Sequence, residues 1–237
     1  MSKHRLALVA PALALALTAG PAVAASAVTG TVTYAGKVPN LRPLSMDADP
    51  ACAAKHDSPV ANEVLVLGPG SKLANVLVRI KSPVAGSHAT PAQPAVIDQD
   101  GCQYHPHVLG VMVGQTLKIK NSDGLLHNVH ALPKVNTPFN MAMPANRTEA
   151  DHKFGKEEGM FLVKCDVHPW MSAYVGVFSH PFFAVSGEDG KFSIADVPDG
   201  TYELEAWHEK LGVQTGKVTV AAGKPATVDF SFAPPGG

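Results

Sequence analysis

Seven residues from Cys165 to Met171, CDVHPWM, carry a thiol, an imidazole and a thioether at the spacing C-x-x-H-x-x-M. They directly follow a strand-like run from Gly159 to Lys164. Two imidazoles and one cysteine sulfur in a near-trigonal plane, with a weak axial methionine, form the ligand set of a blue-copper site. This loop lacks one of the two imidazoles. A chain that completes the set must fold so that a distant strand brings a second histidine to the loop.

The stretch from Asn121 to His130, NSDGLLHNVH, supplies that histidine and follows another strand-like run. His127 lies directly before Asn128, after turn-forming residues at 121–124 that favour its placement at one end of a sandwich. Alternation along a strand places His130 on the opposite face from His127. His130 remains a fallback ligand, because sequence alone does not fix strand register.

These two segments resemble those of the cupredoxins, in which an early His-Asn pair and a late Cys-His-Met loop share one type 1 copper ion. The loop spacing, with a proline after its histidine, is similar to that of the amicyanin and plastocyanin-like members. By this resemblance the copper has four ligands, His127, Cys165, His168 and Met171. The resemblance also implies that Asn128 ties the two ligand loops together, and that His168 presents an exposed edge through which electrons pass.

The donor types favour copper over other metals. A thiolate and a thioether are soft ligands that select copper, and one cysteine is too few for an iron-sulfur cluster. Structural zinc is the alternative, although zinc sites usually use paired C-x-x-C or H-x-x-x-H spacings without methionine. We expect no enzymatic activity, because Met171 in the axial position leaves no open coordination site for a substrate.

Other residues near these motifs have two interpretations each. The run from Tyr104 to His107, YHPH, is either a second metal site or a proline-interrupted loop without function. Trp170 either borders the exposed edge of His168 or packs in the core. Met141 and Met143 are expected in the core or along the copper pocket.

The first 24 residues predict a secretory signal peptide. Basic residues at positions 3–5 precede an apolar stretch from Leu6 to Leu17 and then the small residues Ala22 to Ala24. The stretch is too short and wrongly flanked to span a membrane, and no later stretch is long and apolar enough. We expect a soluble periplasmic or secreted mature chain, with an uncleaved anchor as the alternative.

The remaining cysteines fit an oxidising compartment. Of the 3 cysteines, the copper set uses Cys165, which leaves the even pair Cys52 and Cys102. We expect this pair to close one disulfide, and two unpaired buried thiols are the alternative.

Composition limits the partners and the fold class. With Lys+Arg 19 against Asp+Glu 20, the chain has no basic excess to hold nucleic acid or an anionic membrane. The cupredoxin resemblance instead implies a redox protein partner, such as a cytochrome or a copper or dehydrogenase enzyme. Gly 21 and Pro 20, spread between short β-branched runs, predict an all-β chain.

Two β-sandwiches are expected. Strand-like runs within residues 95–180 suit a Greek-key cupredoxin sandwich. Turn phrases at 186–192 and 197–202 resemble the carboxypeptidase regulatory-like, or transthyretin-like, β-sandwich, and residues 30–33 and 74–79 resemble its opening strands. This smaller sandwich is therefore predicted from residues 28–83 and 181–233, with the copper domain inserted between them. Two tandem domains are the alternative.

The sequence leaves three functions open. The favoured one is a carrier of single electrons. A copper storage or delivery protein would use the same ligands, and a non-redox β-sandwich interaction module would use none of them. In its family the regulatory-like sandwich serves as a spacer or docking module.

Two local predictions concern the chain before residue 83. A strand is predicted from Glu63 to Leu67, and residues 41–59 are expected to be irregular.

Overall fold

The computed structural model describes residues 26–221 and 224–234, so the predicted signal peptide lies outside the described residues. Nearly all regular structure in the described part is β, which confirms the predicted all-β class. None of the helices described there is long and apolar enough to cross a membrane.

The described strands fall into three groups along the chain. The first group is β1 (Ser26–Tyr34), β2 (Leu67–Gly68), β3 (Lys72–Leu73) and β4 (Leu77–Ile80), with a short helix α1 (Pro50–Ala53) after β1. The second group is β5 (Ala95–Asp100), β6 (Gln103–His105), β7 (Val108–Met112), β8 (Thr116–Asn121), β9 (His127–Ala131), β10 (Phe139–Met143), β11 (Glu149–Lys153), β12 (Glu158–Lys164) and β13 (Ser172–Phe178). The third group is β14 (Phe183–Val185), β15 (Lys191–Val197), β16 (Gly200–His208), β17 (Gly212–Val220), β18 (Ala226–Thr227) and β19 (Phe230–Phe232).

The second group forms a sandwich of two sheets, which we call the inner sandwich. Their strand orders are β10-β9-β12-β13-β7 and β11-β8-β5-β6, and the crossovers between non-consecutive strands are typical of Greek-key folds. Strand β8 alternates between buried and half-buried residues, because only one face of its sheet meets the core. Ile119, Val129 and Phe161 are among the side chains that fill this core.

The first and third groups form a second pair of sheets, the outer sandwich. One sheet has the order β14-β4-β16-β17, and the other has β15-β1-β3-β2 with β18 and β19 also paired to β1. Strands from before residue 83 thus pair with strands from after residue 182, as an inserted arrangement requires. The domain boundaries themselves stay a prediction.

A small apolar cluster joins the two sandwiches. Leu77 of the outer sandwich packs with Val108 and Phe178 of the inner one. Beside this cluster the imidazole of His107 pairs with the carboxylate of Glu209, and both side chains are almost fully buried. Apolar and ionic contacts therefore both hold the junction.

Two sequence predictions about elements were wrong. The strand predicted from Glu63 to Leu67 is absent, and only the two-residue β2 begins at its end. The segment expected to be irregular at 41–59 contains α1. Asp49 caps α1 by accepting hydrogen bonds from the second and third following amides, and Pro50 occupies its first turn.

Candidate metal centre

A tight turn places His127 at the start of β9. The side-chain oxygen of Asn121 accepts a hydrogen bond from the amide of Asp123 at 3.2 Å, and its amide group donates to the carbonyl of Leu125 at 2.8 Å. Gly124 adopts φ 65°, a conformation that costs glycine little. The turn chemistry read from the sequence therefore directs His127 to one end of the inner sandwich.

The ligand loop begins where β12 ends. Strand β12 pairs with β9, and Lys164 lies opposite His130, so the loop starts beside the His127 strand. The amide of Cys165 donates to the carbonyl of Met171 at 3.1 Å, and the amide of Met171 donates to the carbonyl of His168 at 2.9 Å. These two bonds close the loop and fix the spacing of its side chains.

Three of the predicted ligands converge. Ligand atoms of His127, Cys165 and His168 all lie within 4.8 Å of one another, and all three residues are buried. The Nδ1 atoms of the two imidazoles are 2.9 Å apart, and the Cys165 sulfur lies 3.9 Å from Nδ1 of His168. One thiol and two imidazoles thus face a single point.

The other two predicted residues also lie at this end. Met171 is buried in the core of the inner sandwich, and its role as a metal ligand stays a prediction. The side-chain oxygen of Asn128 accepts hydrogen bonds from the amide of Asp166 at 2.7 Å and from the Cys165 thiol at 3.3 Å. Asn128 therefore links the two loops that carry the donors.

The outer nitrogen of each imidazole faces a carboxylate. Nε2 of His127 lies 2.8 Å from Oδ2 of Asp123, and Nε2 of His168 lies 3.0 Å from Oδ2 of Asp49. An ionised carboxylate only accepts, so each Nε2 must donate, and a neutral ring then carries its lone pair on Nδ1. Two such lone pairs 2.9 Å apart need a shared proton or a cation. With the adjacent thiol, this donor set fits a soft cation such as copper.

We call the side chains of His127, Cys165 and His168 the donor cluster. The same contacts shift the pKa values of Asp123, His127 and Cys165. Burial opposes ionisation of Asp123, but hydrogen bonds from His127 and Lys55 outweigh it and lower the pKa of Asp123 to about 2. Burial also opposes the charge on His127, but Asp123 and Cys165 raise the pKa of that imidazole to about 9. Burial alone would raise the pKa of the Cys165 thiol, yet His127 and nearby amides lower it. These contacts ease the loss of the thiol proton, which a cysteine must give up before it can bind a metal.

The expectation that His168 has an exposed edge was wrong. Its exposed fraction is 2%, because Asp49 and the sulfur of Cys52, 3.6 Å from Nε2, cover the ring. Cys52 is joined to Cys102 in a disulfide. Trp170 is half-buried against the inner core and donates its indole N–H to the carbonyl of Cys102 at 3.1 Å. The centroid of the Trp170 ring also lies 5.0 Å from that of His168, so Trp170 borders the imidazole as well as packing against the core.

The other histidines considered as ligands, His130 and the two of the YHPH run, do not join the donors. His130 pairs with Asp166 at 2.9 Å instead of turning toward the cluster. His105 is exposed, whereas His107 is buried against Glu209, so the YHPH run does not gather its imidazoles. Within residues 26–221 and 224–234, the groups of metal-donor side chains all include His127 or His168.

Sequence reasoning missed the two carboxylates. Asp123 lies four residues before His127, so the turn that carries it was a usable signal. Asp49 is 119 residues from His168 in sequence. Its position before Pro50 is typical of a helix cap, and this was the signal that the sequence offered. Neither signal reveals contact with a histidine.

Comparisons with known proteins give partial matches. A family profile described as polysaccharide lyase family 4, domain II, matches residues 179–228, within the later strands. No curated protein sequence matches the chain. The expected carboxypeptidase regulatory-like identity of the outer sandwich stays a prediction.

Similar solved structures include several copper proteins. A copper-containing nitrite reductase from Thermus scotoductus SA-01 is 24% identical over 41% of this chain and 25% of its own, with a TM-score of 0.34. A mutant of amicyanin in its Cu(I) state is 25% identical over 42% and 97%, with a TM-score of 0.32. A purple cupredoxin from Nitrosopumilus maritimus is 25% identical over 35% and 98%, with a TM-score of 0.30. The chain spans about a quarter of the length of the nitrite reductase. The converging donor atoms of His127, Cys165 and His168 are what indicate a metal centre.

Proposed function

We propose that the chain is a periplasmic or secreted copper protein that carries single electrons. One type 1 copper ion would be held by His127, Cys165, His168 and Met171. The observation that supports this proposal is the convergence of one thiol and two imidazoles, all buried, with both Nδ1 atoms facing each other. Structural zinc sites do not usually include a thioether, so Met171 beside these donors favours copper over zinc.

The fold suits such a site because its strands hold the donors before any metal arrives. Strands β9 and β12 are hydrogen-bonded neighbours, and Asn128 fixes the start of the ligand loop. Ligands held by packed strands resist rearrangement, so oxidation and reduction need little movement. Copper bound there would supply a one-electron couple between Cu(I) and Cu(II). Burial of the donors keeps water away from them.

The partner we propose is another redox protein, such as a cytochrome or a copper or dehydrogenase enzyme. We propose no catalytic role for the chain itself, because Met171 would fill the remaining position around the metal. The outer sandwich is available as a spacer or docking module, since the donors lie on β9 and in the loop after β12, both in the inner sandwich.

Copper titration tests the proposal. Purified protein should bind one equivalent of Cu(II) and develop an intense thiolate-to-copper band in the visible spectrum. Cys165→Ser should abolish the band. His130→Gln is the matched control, because this imidazole pairs with Asp166 outside the cluster, and it should keep the band. A colourless copper complex, or a band that survives in Cys165→Ser, would refute the proposal.

Copper storage or delivery is a second candidate, and the burial of His168 favours it. Asp49 covers the outer edge of the His168 ring, so this ring offers no direct contact to a docking redox partner. Transfer of Cu(I) to a chelator within minutes, together with slow electron exchange, would support delivery. Retention for hours with rapid electron exchange would support the carrier.

A further inference from the structure

A segment of the chain outside the inner sandwich closes over the donor cluster. We call residues 44–60 the covering segment. The amide of Leu44 donates to the carbonyl of Val60 at 2.9 Å and closes its base. Nε2 of His56 lies 2.7 Å from the carbonyl of Gly101, and the disulfide from Cys52 anchors α1 to the same loop of the inner sandwich. The segment is therefore a built part of the site.

Asp49 of the covering segment uses its two oxygens for different tasks. Oδ1 accepts from the amides of Ala51 at 2.9 Å and Cys52 at 3.4 Å, which caps α1. Oδ2 lies 3.0 Å from Nε2 of His168. The helix cap holds the carboxylate in place, so Oδ2 is aimed at the ligand ring.

The covering segment also reaches the second imidazole through Lys55. Its ammonium lies 3.0 Å from Oδ1 of Asp123 and donates to the backbone carbonyl of the same residue at 3.1 Å. The other oxygen of Asp123 accepts from the amide of Cys102 and faces Nε2 of His127, both at 2.8 Å. One segment thus supports the carboxylate partners of both imidazoles.

A carboxylate on the outer nitrogen changes what an imidazole does as a ligand. It fixes the ring orientation, selects the tautomer with Nδ1 free, and makes the ring a stronger electron donor. The added negative charge favours the dication over the monocation, because the attraction is proportional to charge.

We infer that Asp49 and Asp123 are positioning residues that brace the two imidazoles and bias the centre toward oxidised copper. This inference rests on the proposed function and adds to it the residues that set the balance between the two copper states. The covering segment makes the bias a property of tertiary structure, since Asp49 belongs to a part of the chain 119 residues from His168.

Asp49→Asn separates bracing from capping. Asparagine caps helices as well as aspartate does, so its oxygen should keep the bonds to the α1 amides. Its amide group then faces Nε2 of His168 and cannot accept from it. Asp47→Asn is the matched control, because Asp47 is exposed and contacts only the hydroxyl of Ser45 at 2.8 Å among the hydrogen bonds described.

The measured quantity is the ratio of Cu(II) to Cu(I) affinity. Removing such a hydrogen-bond partner costs about 10-fold in metal affinity, and we expect Cu(II) to bear most of that loss. A tenfold fall in the ratio equals a rise in reduction potential of about 59 mV for one electron. Asp47→Asn should leave the ratio unchanged. Equal ratios in the two variants would overturn the inference.

A second readout needs no copper. In metal-free protein labelled with 15N, the Nε2–H of His168 should give a signal protected from exchange with water, and Asp49→Asn should remove the protection. An unprotected Nε2 in the unaltered protein would overturn the bracing whatever the copper results. The opposite outcome is a protected Nε2–H in a protein that develops no Cys165-dependent copper band. That result would leave the hydrogen bond to Asp49 in place but refute the proposed function and the bias toward oxidised copper.

Discussion

Removal of the disulfide between Cys52 and Cys102 should weaken the attachment of the covering segment. The bond closes a loop with a sequence separation of 50. The chain-entropy relation for a loop of this length gives about 4 kcal/mol at 25 °C. We therefore expect the double variant, with alanine at both positions, to lose about 4 kcal/mol of unfolding free energy. For a chain of this size that loss corresponds to a fall in Tm of about 8 to 16 °C.

Urea denaturation followed by tryptophan fluorescence measures this loss. Trp170 donates to the carbonyl of Cys102, so its emission reports on the affected loop. Unaltered protein treated with a dithiol reductant is the control, and it should unfold at the same urea concentration as the double variant. A double variant within about 1 kcal/mol of the oxidised protein would show that the unfolded chain gains little freedom, which would refute the entropic reasoning.

Three further changes test the fold away from the donors. Glu209→Gln should cost about 3 kcal/mol at pH 6, because it breaks a buried pair with His107. Burial opposes the charge on His107, but Glu209 and Glu63 together outweigh it and raise the pKa of that imidazole. The stabilisation is therefore full below about pH 6.5 and is lost as pH rises through the folded pKa, and thermal melts should show a smaller loss in Glu209→Gln, which keeps Glu63 at 3.6 Å, than in the unaltered protein. Glu158→Ala should cost about 2 kcal/mol at pH 7, because its carboxylate accepts from the three amides of residues 134–136. Despite its burial these bonds lower the pKa of Glu158, so stability present above about pH 4.3 should fall with acid in the unaltered protein and not in the variant. Glu149→Ala, which removes an exposed ion pair, should leave the unfolding free energy nearly unchanged, and a loss as large as that of Glu158→Ala would contradict the ranking of buried over exposed contacts.

The donors could be predicted from the sequence because their chemistry is local. The thiol and the imidazole of the ligand loop are three residues apart, and the strands around them alternate clearly enough to give an all-β fold. The partner histidine needed one further step, namely that two strand ends meet at the same pole of a sandwich. The structure brings His127, Cys165 and His168 together at that pole.

The covering segment could not be predicted in the same way. Residues 41–59 have no hydrophobic period, and α1 is only four residues long, so nothing local indicates what the segment contacts. Its position depends on a disulfide and on hydrogen bonds to loops 45 or more residues away in sequence. That is also why the burial of His168 was missed, since the ring is covered by distant residues and not by its own loop.

The first described strand completes its sheet only late in synthesis. Strand β1 borders β15, β18 and β19, whose residues lie more than 150 positions further along the chain. Contacts this distant form slowly, because a long loop must close first. A chain emerging from a ribosome would therefore expose an unpaired edge of β1 while the inner sandwich assembles. A chaperone that shields this edge during synthesis would suit such a topology.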